Sequence, residues 1–267
     1  HLGEKKIDKK IPFVRELAKN YAGIDPVYKP IPVRPVVHYM MGGVSTDIEG
    51  ATILPGLFAA GECACVSING ANRLGSNSLT ELLVFGARAA RSAAKFAADH
   101  QNLDAKALVG QAEEEQRQIA QRWFHGSGNE SIAGIRNAMQ KTMETGCGIY
   151  RSEASLKETC TEIGKLKERY KNVAIADKSL SFNTELTAAI ELGYLLDAAE
   201  ACAFSALHRQ ESRGSHQRTD FAKRDDEKYL KHSLAYRTEG EPRIEYKDVV
   251  ITKWPPEERV YGKPAAK

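Results

Sequence analysis

The stretch NGANRLGSNSL, residues 69–79, has the residue types of a site for a negatively charged group. A single cation, Arg73, stands among glycine, asparagine, serine and alanine, and an apolar helical pattern begins at Leu79. Small residues let a ligand approach the backbone, and a helix N-terminus offers unpaired amides beside a partial positive charge. The planar guanidinium matches a carboxylate or a phosphate. The stretch therefore predicts an anion site, with a tight turn and a surface arginine as the alternative.

His38 and Tyr39 form a second candidate, because they follow two valines and precede the glycine pair Gly42 and Gly43. The apolar run predicts a strand over residues 36–39 that the glycines end. A histidine at a strand end can donate a hydrogen bond, and its charge changes near neutral pH. From the residues alone, both a binding role and a structural role for His38 stay open.

Glu62 is the third candidate and ends the stretch GLFAAGE, residues 56–62. The apolar residues 56–60 predict a buried strand that stops at Gly61. A carboxylate that follows a glycine at the end of such a strand is the usual partner of a ribose hydroxyl. The alternative for Glu62 is a solvated turn residue.

These candidates depend on helices and linkers for their positions. Residues 4–22 carry apolar side chains at helical spacing and predict one helix, and the prolines between residues 26 and 35 predict an extended linker. Another helix is predicted over residues 78–98. Asn77 or the serine after it would cap this helix, and Glu81 would complete a capping box.

The second half of the chain is predicted to be mainly helical. Four segments have helical composition with breaks between them, at residues 104–124, 129–146, 152–170 and 183–212. We expect them to form an antiparallel bundle. After Gly214 the sequence is irregular and charged, until alternating apolar residues predict one or two strands. The alternating residues are Ile244, Tyr246, Val249 and Ile251.

The composition of the chain argues against several classes of function. It has 267 residues, a formal net charge of +3 and no basic stripe with interleaved aromatic residues, so nucleic-acid binding is not expected. No apolar run reaches the roughly 18 residues of a transmembrane helix. The five cysteines have neither iron–sulfur nor zinc spacing, and we expect reduced thiols and no metal site.

Three motifs occur in order along the chain: H-Y-x-M-G-G, G-L-F-A-x-G-E and G-A-N-R-L-G-S-N-S-L. With CGIYR at residues 147–151 and ESRGSHQRTDF…RDD at residues 211–226, they resemble the flavoprotein subunit family of fumarate reductase and succinate dehydrogenase. The resemblance runs along nearly the whole chain. Ser76 is more similar to the bacterial fumarate reductase branch, because succinate dehydrogenases more often have glycine at this position.

The resemblance implies a fold of the α/β class. An incomplete Rossmann-like FAD domain would be followed by an all-α helical bundle domain and a small C-terminal β or irregular segment. The implied divisions are residues 1–30 for the tail of a capping domain, 31–98 for the second half of the FAD domain, 99–217 for the bundle and 218–267 for the C-terminal segment. Because the sequence lacks the G-x-G-x-x-G motif of the first dinucleotide half, we expect a piece of a longer polypeptide.

The resemblance also implies FAD as cofactor and a dicarboxylate, fumarate or succinate, as substrate. His38 and Arg73 are similar to the residues that hold the substrate carboxylate, and Glu62 to the residue that binds the adenosine ribose. The residues expected to contact FAD are His38, Tyr39, Glu62, Arg73, Leu74, Gly75, Ser76, Asn77, Ser78 and Leu79. The implied reaction is hydride transfer from flavin N5 to fumarate, and the arginine that donates the proton is expected outside this sequence.

The family works with partner subunits, which the resemblance extends to this chain. An iron–sulfur subunit would supply electrons, and it would dock on membrane anchor subunits that handle quinol. We therefore expect a peripheral location at the cytoplasmic face of the inner membrane. Asn69 departs from the histidine that the family often has there, which puts one substrate-side contact in question. Residues 1–267 alone are expected neither to retain FAD nor to turn over.

Three alternatives remain beside the fumarate reductase interpretation. A succinate dehydrogenase flavoprotein has the same motifs. L-aspartate oxidase shares H-Y-x-x-G-G and A-N-R-x-x-S-N-S-L, although Gly75 and the CGIYR context disfavour it. The non-enzymatic alternative is a helical interaction fragment with a vestigial flavin segment.

Overall fold

The computed structural model describes residues 2–101 and 105–257. The first residue of the predicted 104–124 helix and the end of the predicted C-terminal segment, residues 258–267, lie outside this range. The chain divides into two compact units, one that ends at Met40 and one that begins at Met41. Helices dominate the described residues, and each sheet among them has two strands.

The first unit contains two helices where the sequence predicted one. Helix α1 spans Glu4–Lys10 and helix α2 spans Pro12–Ala22. The prediction of one helix over residues 4–22 is wrong at Ile11, whose backbone leaves the helical region (φ −141°, ψ 48°). Proline disfavours helical geometry in the residue before it and has no amide to donate, so Pro12 ends one helix and begins the next.

No strand forms over residues 36–39, where one was predicted before His38. Residues 30–43 are irregular, and Val36 and Val37 are exposed. A strand needs a neighbouring strand for its backbone hydrogen bonds, and no strand among the described residues pairs with this segment. The apolar run alone therefore did not determine the local structure.

The second unit begins with a short parallel pair. Strand β1, Val44–Ser45, pairs with strand β2, Ala64–Cys65. The predicted buried strand over residues 56–60 is wrong, because Gly56 and Leu57 are exposed and only an isolated bridge from Phe58 to Ala51 forms. Of the Rossmann-like sheet implied by the resemblance, the described residues form the β1–β2 pair and no further strand in residues 31–98.

Helix α3 spans Asn77–Asp99 and begins one residue before the predicted start. The predicted capping box is wrong. The residue before the helix is Ser76, in a left-handed conformation (φ 66°), and no side chain caps the helix. Glu81 is buried and hydrogen-bonds to Asn69 instead of folding back on the helix end.

The predicted helical segments are confirmed within a few residues, except that the last ends earlier. Helix α4, Ala105–Ile119, continues as a π-helical turn, Ala120–Phe124. It is followed by α5, Ile132–Gly146, α6, Glu153–Tyr170, and α7, Thr184–His208. Serine or asparagine side chains cap α5, α6 and α7 (Ser131, Ser152 and Asn183), which fixes where each begins.

Helices α5, α6 and α7 pack on one another and form the main core. Its buried residues include Ile135, Met139, Ile163, Leu166, Ala189, Leu192 and Leu196. Helix α4 buries no residue of its own, and it reaches this core through Ile119 and the π-helical turn with Trp123 and Phe124. Of the four predicted bundle helices, the one at residues 104–124 thus contributes to the core mainly through its last turn.

After the bundle helix α5, strand β3, Tyr150–Arg151, pairs in parallel with β4, Gln217–Arg218. The C-terminal segment that follows contains one predicted strand and one that was missed. After a short helix α8, Asp226–Tyr229, strands β5, Lys231–Tyr236, and β6, Arg243–Asp248, form an antiparallel hairpin. The strand predicted from Ile244 and Tyr246 is confirmed as β6, and it ends before Val249 and Ile251. Ile244 packs near Phe204 of α7.

Candidate functional site

The loop from Val66 to Ser76, called here the Arg73 loop, leads directly into helix α3 within the second unit. Three residues of the loop have left-handed backbone conformations: Ser67 (φ 76°), Gly70 (φ 56°) and Ser76 (φ 66°). Arg73 is partly buried, and its Nη1 donates to the Leu74 carbonyl at 2.9 Å. The loop therefore holds one permanent cation beside the beginning of a helix.

The helix end beside Arg73 is electrically suited to an anion. No side chain caps α3, and no acidic residue stands in its first turn. The partial positive charge of the helix N-terminus and the guanidinium thus lie on neighbouring residues. A side chain placed at Gly70 or Gly75 would meet no protein atom within 4 Å, so a ligand can approach the backbone at both glycines.

Contacts from three different elements fix the Arg73 loop at alternate residues. The Ser67 hydroxyl lies 2.8 Å from His232 Nε2 on β5. Asn69 Nδ2 donates to Glu81 Oε2 of α3 at 2.8 Å. The Ala71 carbonyl accepts from the amide and the hydroxyl of Ser215, at 3.0 and 2.8 Å. The loop is therefore held by the neighbouring helix α3 and by two residues, Ser215 and His232, that are far from it in sequence.

Glu81 is a functional candidate that the sequence reasoning assigned to the wrong role. It is 2% exposed and accepts the Asn69 amide, so it supports the Arg73 loop from beneath. A signal was present in the spacing of Glu81, Phe85 and Ala89, which share one face of α3 with Ala89 buried. A carboxylate on a buried helix face needs hydrogen-bond donors, and Asn69 supplies one.

Glu62 lies in a turn and does not follow a strand. It is exposed, between Gly61 and β2. Gly61 has a left-handed backbone (φ 84°), and a Cβ there would collide with the Leu82 side chain of α3. Glycine is therefore required at this point, and the turn presents the Glu62 side chain at the surface. The ribose role of Glu62 stays a prediction.

His38 and Tyr39 belong to the first unit, whereas Arg73 and Glu62 belong to the second. His38 is exposed and Tyr39 is partly buried. That His38 and Arg73 meet at one carboxylate therefore stays a prediction. The structure brings together the residues of the Arg73 loop, Glu81 and two C-terminal residues.

Residues 209–226, called here the clasp, form a network of buried charges. Glu211 is fully buried and accepts from Arg209 Nη1 at 2.6 Å and from Arg213 Nε at 2.7 Å. Arg218, 1% exposed, makes a two-pronged contact with Asp220, at 2.8 Å for each pair of atoms. Its Nη1 also donates to three carbonyls at the end of α7. Glu211 and Arg218 are therefore buried, hydrogen-bonded charges and not solvated ones.

His216 within the clasp is held in one neutral tautomer by its neighbours. Arg151 Nη1 lies 2.9 Å from Nδ1, and the Arg209 carbonyl lies 3.1 Å from Nε2. Because arginine only donates and a carbonyl only accepts, Nδ1 must be unprotonated and Nε2 must carry the hydrogen. Burial lowers the pKa of His216 to about 4, and the charges of Arg151, Arg209 and Arg218 act in the same direction.

The described residues contain no group of three or more histidine, cysteine or acidic side chains placed to hold a metal ion. All five cysteines are free thiols, and burial raises the pKa of Cys147, Cys160 and Cys202. None of the helices described is both long and apolar enough to span a bilayer.

Comparison with known proteins supports the resemblance. The family model described as "Fumarate reductase flavoprotein C-term" matches residues 136–261, and the "FAD binding domain" model matches residues 1–79. A fumarate reductase flavoprotein subunit of Mycobacterium tuberculosis is 58% identical over 268 aligned residues, which cover 98% of this chain. Over 98% of its length the chain is thus similar to a flavoprotein subunit of fumarate reductase. The resemblance inferred from the motifs is thereby confirmed.

Two further comparisons extend this similarity. A structure of Escherichia coli quinol fumarate reductase matches 99% of the chain with a TM-score of 0.95 and 49% identity. A succinate dehydrogenase flavoprotein subunit of Rickettsia bellii is 39% identical and covers 98% of the chain. Both fumarate reductases are thus more similar to the chain than this succinate dehydrogenase is. The chain spans 46% of each of these three relatives.

Proposed function

We propose that the chain is part of a fumarate reductase flavoprotein subunit, in which it holds a dicarboxylate beside FAD. The observation that carries the proposal is the rigidly held Arg73 loop at the uncapped N-terminus of α3. Such a geometry concentrates positive charge on a backbone that a ligand can approach closely. The 58% identity to a fumarate reductase flavoprotein subunit supports fumarate over other dicarboxylates.

The residues at this site fit FAD. Open backbone at Gly70 and Gly75 would admit a flat ring, and the uncapped start of α3 would stabilise negative charge on its pyrimidine end. The residues proposed to contact FAD are His38, Tyr39, Glu62, Arg73, Leu74, Gly75, Ser76, Asn77, Ser78 and Leu79. Once reduced by electrons from the proposed iron–sulfur subunit, the bound flavin would supply the hydride for the reduction of fumarate.

The protein groups act on the carboxylates of the substrate. Arg73 and His38 are proposed to bind one carboxylate, with the guanidinium providing two parallel donors. The positive charge of the protein beside that carboxylate draws electron density out of the double bond and stabilises the negative charge that develops during reduction. We assign the proton donor to an arginine outside this sequence, as in the family resemblance.

Partners follow from the same proposal. We propose that an iron–sulfur subunit delivers electrons and that membrane anchor subunits exchange them with quinol. The structural relative is described as a quinol fumarate reductase, which supports such an assembly. The flavoprotein would then be peripheral, at the cytoplasmic face of the inner membrane.

A dye-linked assay of the full-length flavoprotein tests the proposal. With a reduced viologen as electron donor, we expect fumarate to be consumed and succinate to form. Aspartate with oxygen is the control substrate, and turnover of aspartate without fumarate reduction would favour L-aspartate oxidase. A full-length protein without a flavin absorbance spectrum would favour the non-enzymatic interaction fragment. The ratio of the rate of fumarate reduction to the rate of succinate oxidation distinguishes a fumarate reductase flavoprotein from a succinate dehydrogenase flavoprotein.

A further inference from the structure

The turn at Arg213–His216 in the clasp sits directly on the Arg73 loop. Arg213 and His216 close the turn with two backbone hydrogen bonds, of 2.8 and 3.0 Å. At the tip of the turn, the Ser215 amide and hydroxyl both donate to the Ala71 carbonyl. Gly214 has a left-handed backbone (φ 57°), and a Cβ there would lie 2.6 Å from the carbonyl carbon and oxygen of Ala71. Glycine is therefore the residue that lets the turn approach this closely.

Buried charges fix the turn from the side away from the loop. Arg213 donates to Glu211, which is fully buried, and to Asp226 Oδ1 at 2.6 Å. His216 is held between the Arg151 guanidinium and the Arg209 carbonyl. The side chains of Arg213 and His216 thus set the position of Ser215, and they are separate from the Ser215 side chain that contacts the Arg73 loop. A movement of the turn would have to break several charge-assisted hydrogen bonds.

We propose that Gly214 and Ser215 are positioning residues for Arg73. Ala71 lies two residues before Arg73, so the position of the Ala71 carbonyl constrains the position of the Arg73 backbone. Ser67, held by His232, fixes the loop on the other side of Ala71. The C-terminal segment thereby determines where the guanidinium meets the substrate carboxylate. The link to substrate depends on the proposed function, whereas the restraint on the loop does not.

Kinetics of the full-length flavoprotein in its complex test the link to substrate. Ser215→Ala removes one of the two hydrogen bonds to Ala71, and we expect the KM for fumarate to rise about 3- to 10-fold with kcat changed less than about 2-fold. Gly214→Ala should raise the KM further, because the new methyl group collides with Ala71. Ser215→Thr keeps the hydroxyl and should restore a KM within about 2-fold of the wild type.

Matched controls come from positions away from the loop. Ser179→Ala removes a hydroxyl that bonds within its own turn, and Gly240→Ala adds a methyl group with no atom within 4 Å. Both should leave the KM for fumarate unchanged. If Ser215→Ala and Gly214→Ala also keep the wild-type KM, the proposed link to Arg73 is wrong.

Hydrogen exchange on the same variants tests the restraint without any turnover. Ser215→Ala and Gly214→Ala should speed amide exchange in residues 66–77 and leave helices α5, α6 and α7 as protected as in the wild type. Unchanged exchange in the loop would overturn the positioning role. If the wild-type complex does not reduce fumarate, the proposed function fails, and the exchange result still decides whether the clasp holds the loop.

Discussion

Arg73 is the residue on which the proposed chemistry depends most. Its guanidinium can form two parallel hydrogen bonds to a carboxylate, which a lysine ammonium cannot reproduce. We expect Arg73→Lys to lower kcat/KM for fumarate about 100- to 1000-fold, as is typical when one donor to the developing charge is lost. The measurement is dye-linked fumarate reduction at equal flavin content. Arg91→Lys, on the exposed surface of α3, is the control and should keep wild-type activity.

Glu81 has a structural role that its side-chain contacts define. Glu81→Ala leaves the Asn69 amide without this acceptor and places a cavity on the buried face of α3. We expect the free energy of unfolding to fall by about 1–3 kcal/mol. Glu81→Gln should cost less, because its side-chain oxygen can still accept from Asn69. Urea denaturation of the two variants checks this order, and an equal loss for both would contradict the assigned hydrogen bond.

At the scale of helices, two glycines should respond oppositely to alanine. Gly146 ends α5 against α6, where an added methyl group would collide with the Thr159 hydroxyl and lie 2.8 Å from the Ser155 carbonyl. Gly146→Ala should therefore destabilise the protein by about 1–3 kcal/mol through overpacking. Gly164 lies within α6 with no atom within 4 Å of an added Cβ. Gly164→Ala should stabilise the protein by up to about 1 kcal/mol through higher helix propensity.

Thermal denaturation monitored by circular dichroism measures both glycine variants. The result that would contradict the described packing of α5 on α6 is a Gly146→Ala protein that melts at or above the wild-type temperature.

The clasp should make stability depend on pH through His216. The folded-state pKa is about 4, below the value of 6.5 for the free side chain. Between these values the unfolded state binds more protons than the folded state. The contribution of His216 to the free energy of unfolding is therefore fully present above pH 6.5 and is lost as the pH decreases toward 4. A shift of this size corresponds to about 3 kcal/mol.

His216→Gln isolates this contribution, because a glutamine amide can donate to the Arg209 carbonyl but does not titrate. We expect the wild type to lose about 3 kcal/mol more than His216→Gln between pH 6.5 and pH 4. Urea denaturation at several pH values measures the difference. His125→Gln, at an exposed position, is the control and should follow the wild-type pH profile. Parallel profiles for wild type and His216→Gln would contradict the assignment.

Helices were predicted better than strands because their determinants are local. Helical composition and the breaks between segments located α5, α6 and α7, and in the structure the local caps Ser131, Ser152 and Asn183 mark where these helices begin. The strands expected over residues 36–39 and 56–60 did not form, since a strand also depends on a partner that an apolar run does not specify. Strand β5 was missed because its partly buried residues lack a clear alternation.

The candidate site was predictable only in part. Composition located the Arg73 loop, because small residues and one cation before a helix are a local feature. Its anchors were not predictable in this way, since Ser215 and His232 contact residues 144 and 165 positions earlier in the chain. Local spacing carries no information about such contacts. The resemblance supplied the roles of His38, Tyr39 and Glu62, which stay predictions, as do the implied domain boundaries.

At the scale of the whole molecule, apolar exposure within the second unit supports the proposal that this chain is part of a larger flavoprotein. Ile53, Leu79 and Leu83 are 85%, 64% and 76% exposed. Large exposed apolar surfaces usually mark interaction sites, and the chain spans under half of the relatives described above. We expect these side chains to be covered in the complete flavoprotein. The expectation that residues 1–267 alone do not retain FAD stays a prediction.

The most direct measurement for the whole account is a crystal structure of the full-length flavoprotein with FAD and a bound dicarboxylate. We predict that the Arg73 guanidinium and the His38 imidazole both lie within hydrogen-bond distance of one carboxylate, with the residue 74–79 backbone against the flavin ring. Arg73 and His38 in separate surroundings, or a dicarboxylate bound elsewhere, would contradict the proposed function.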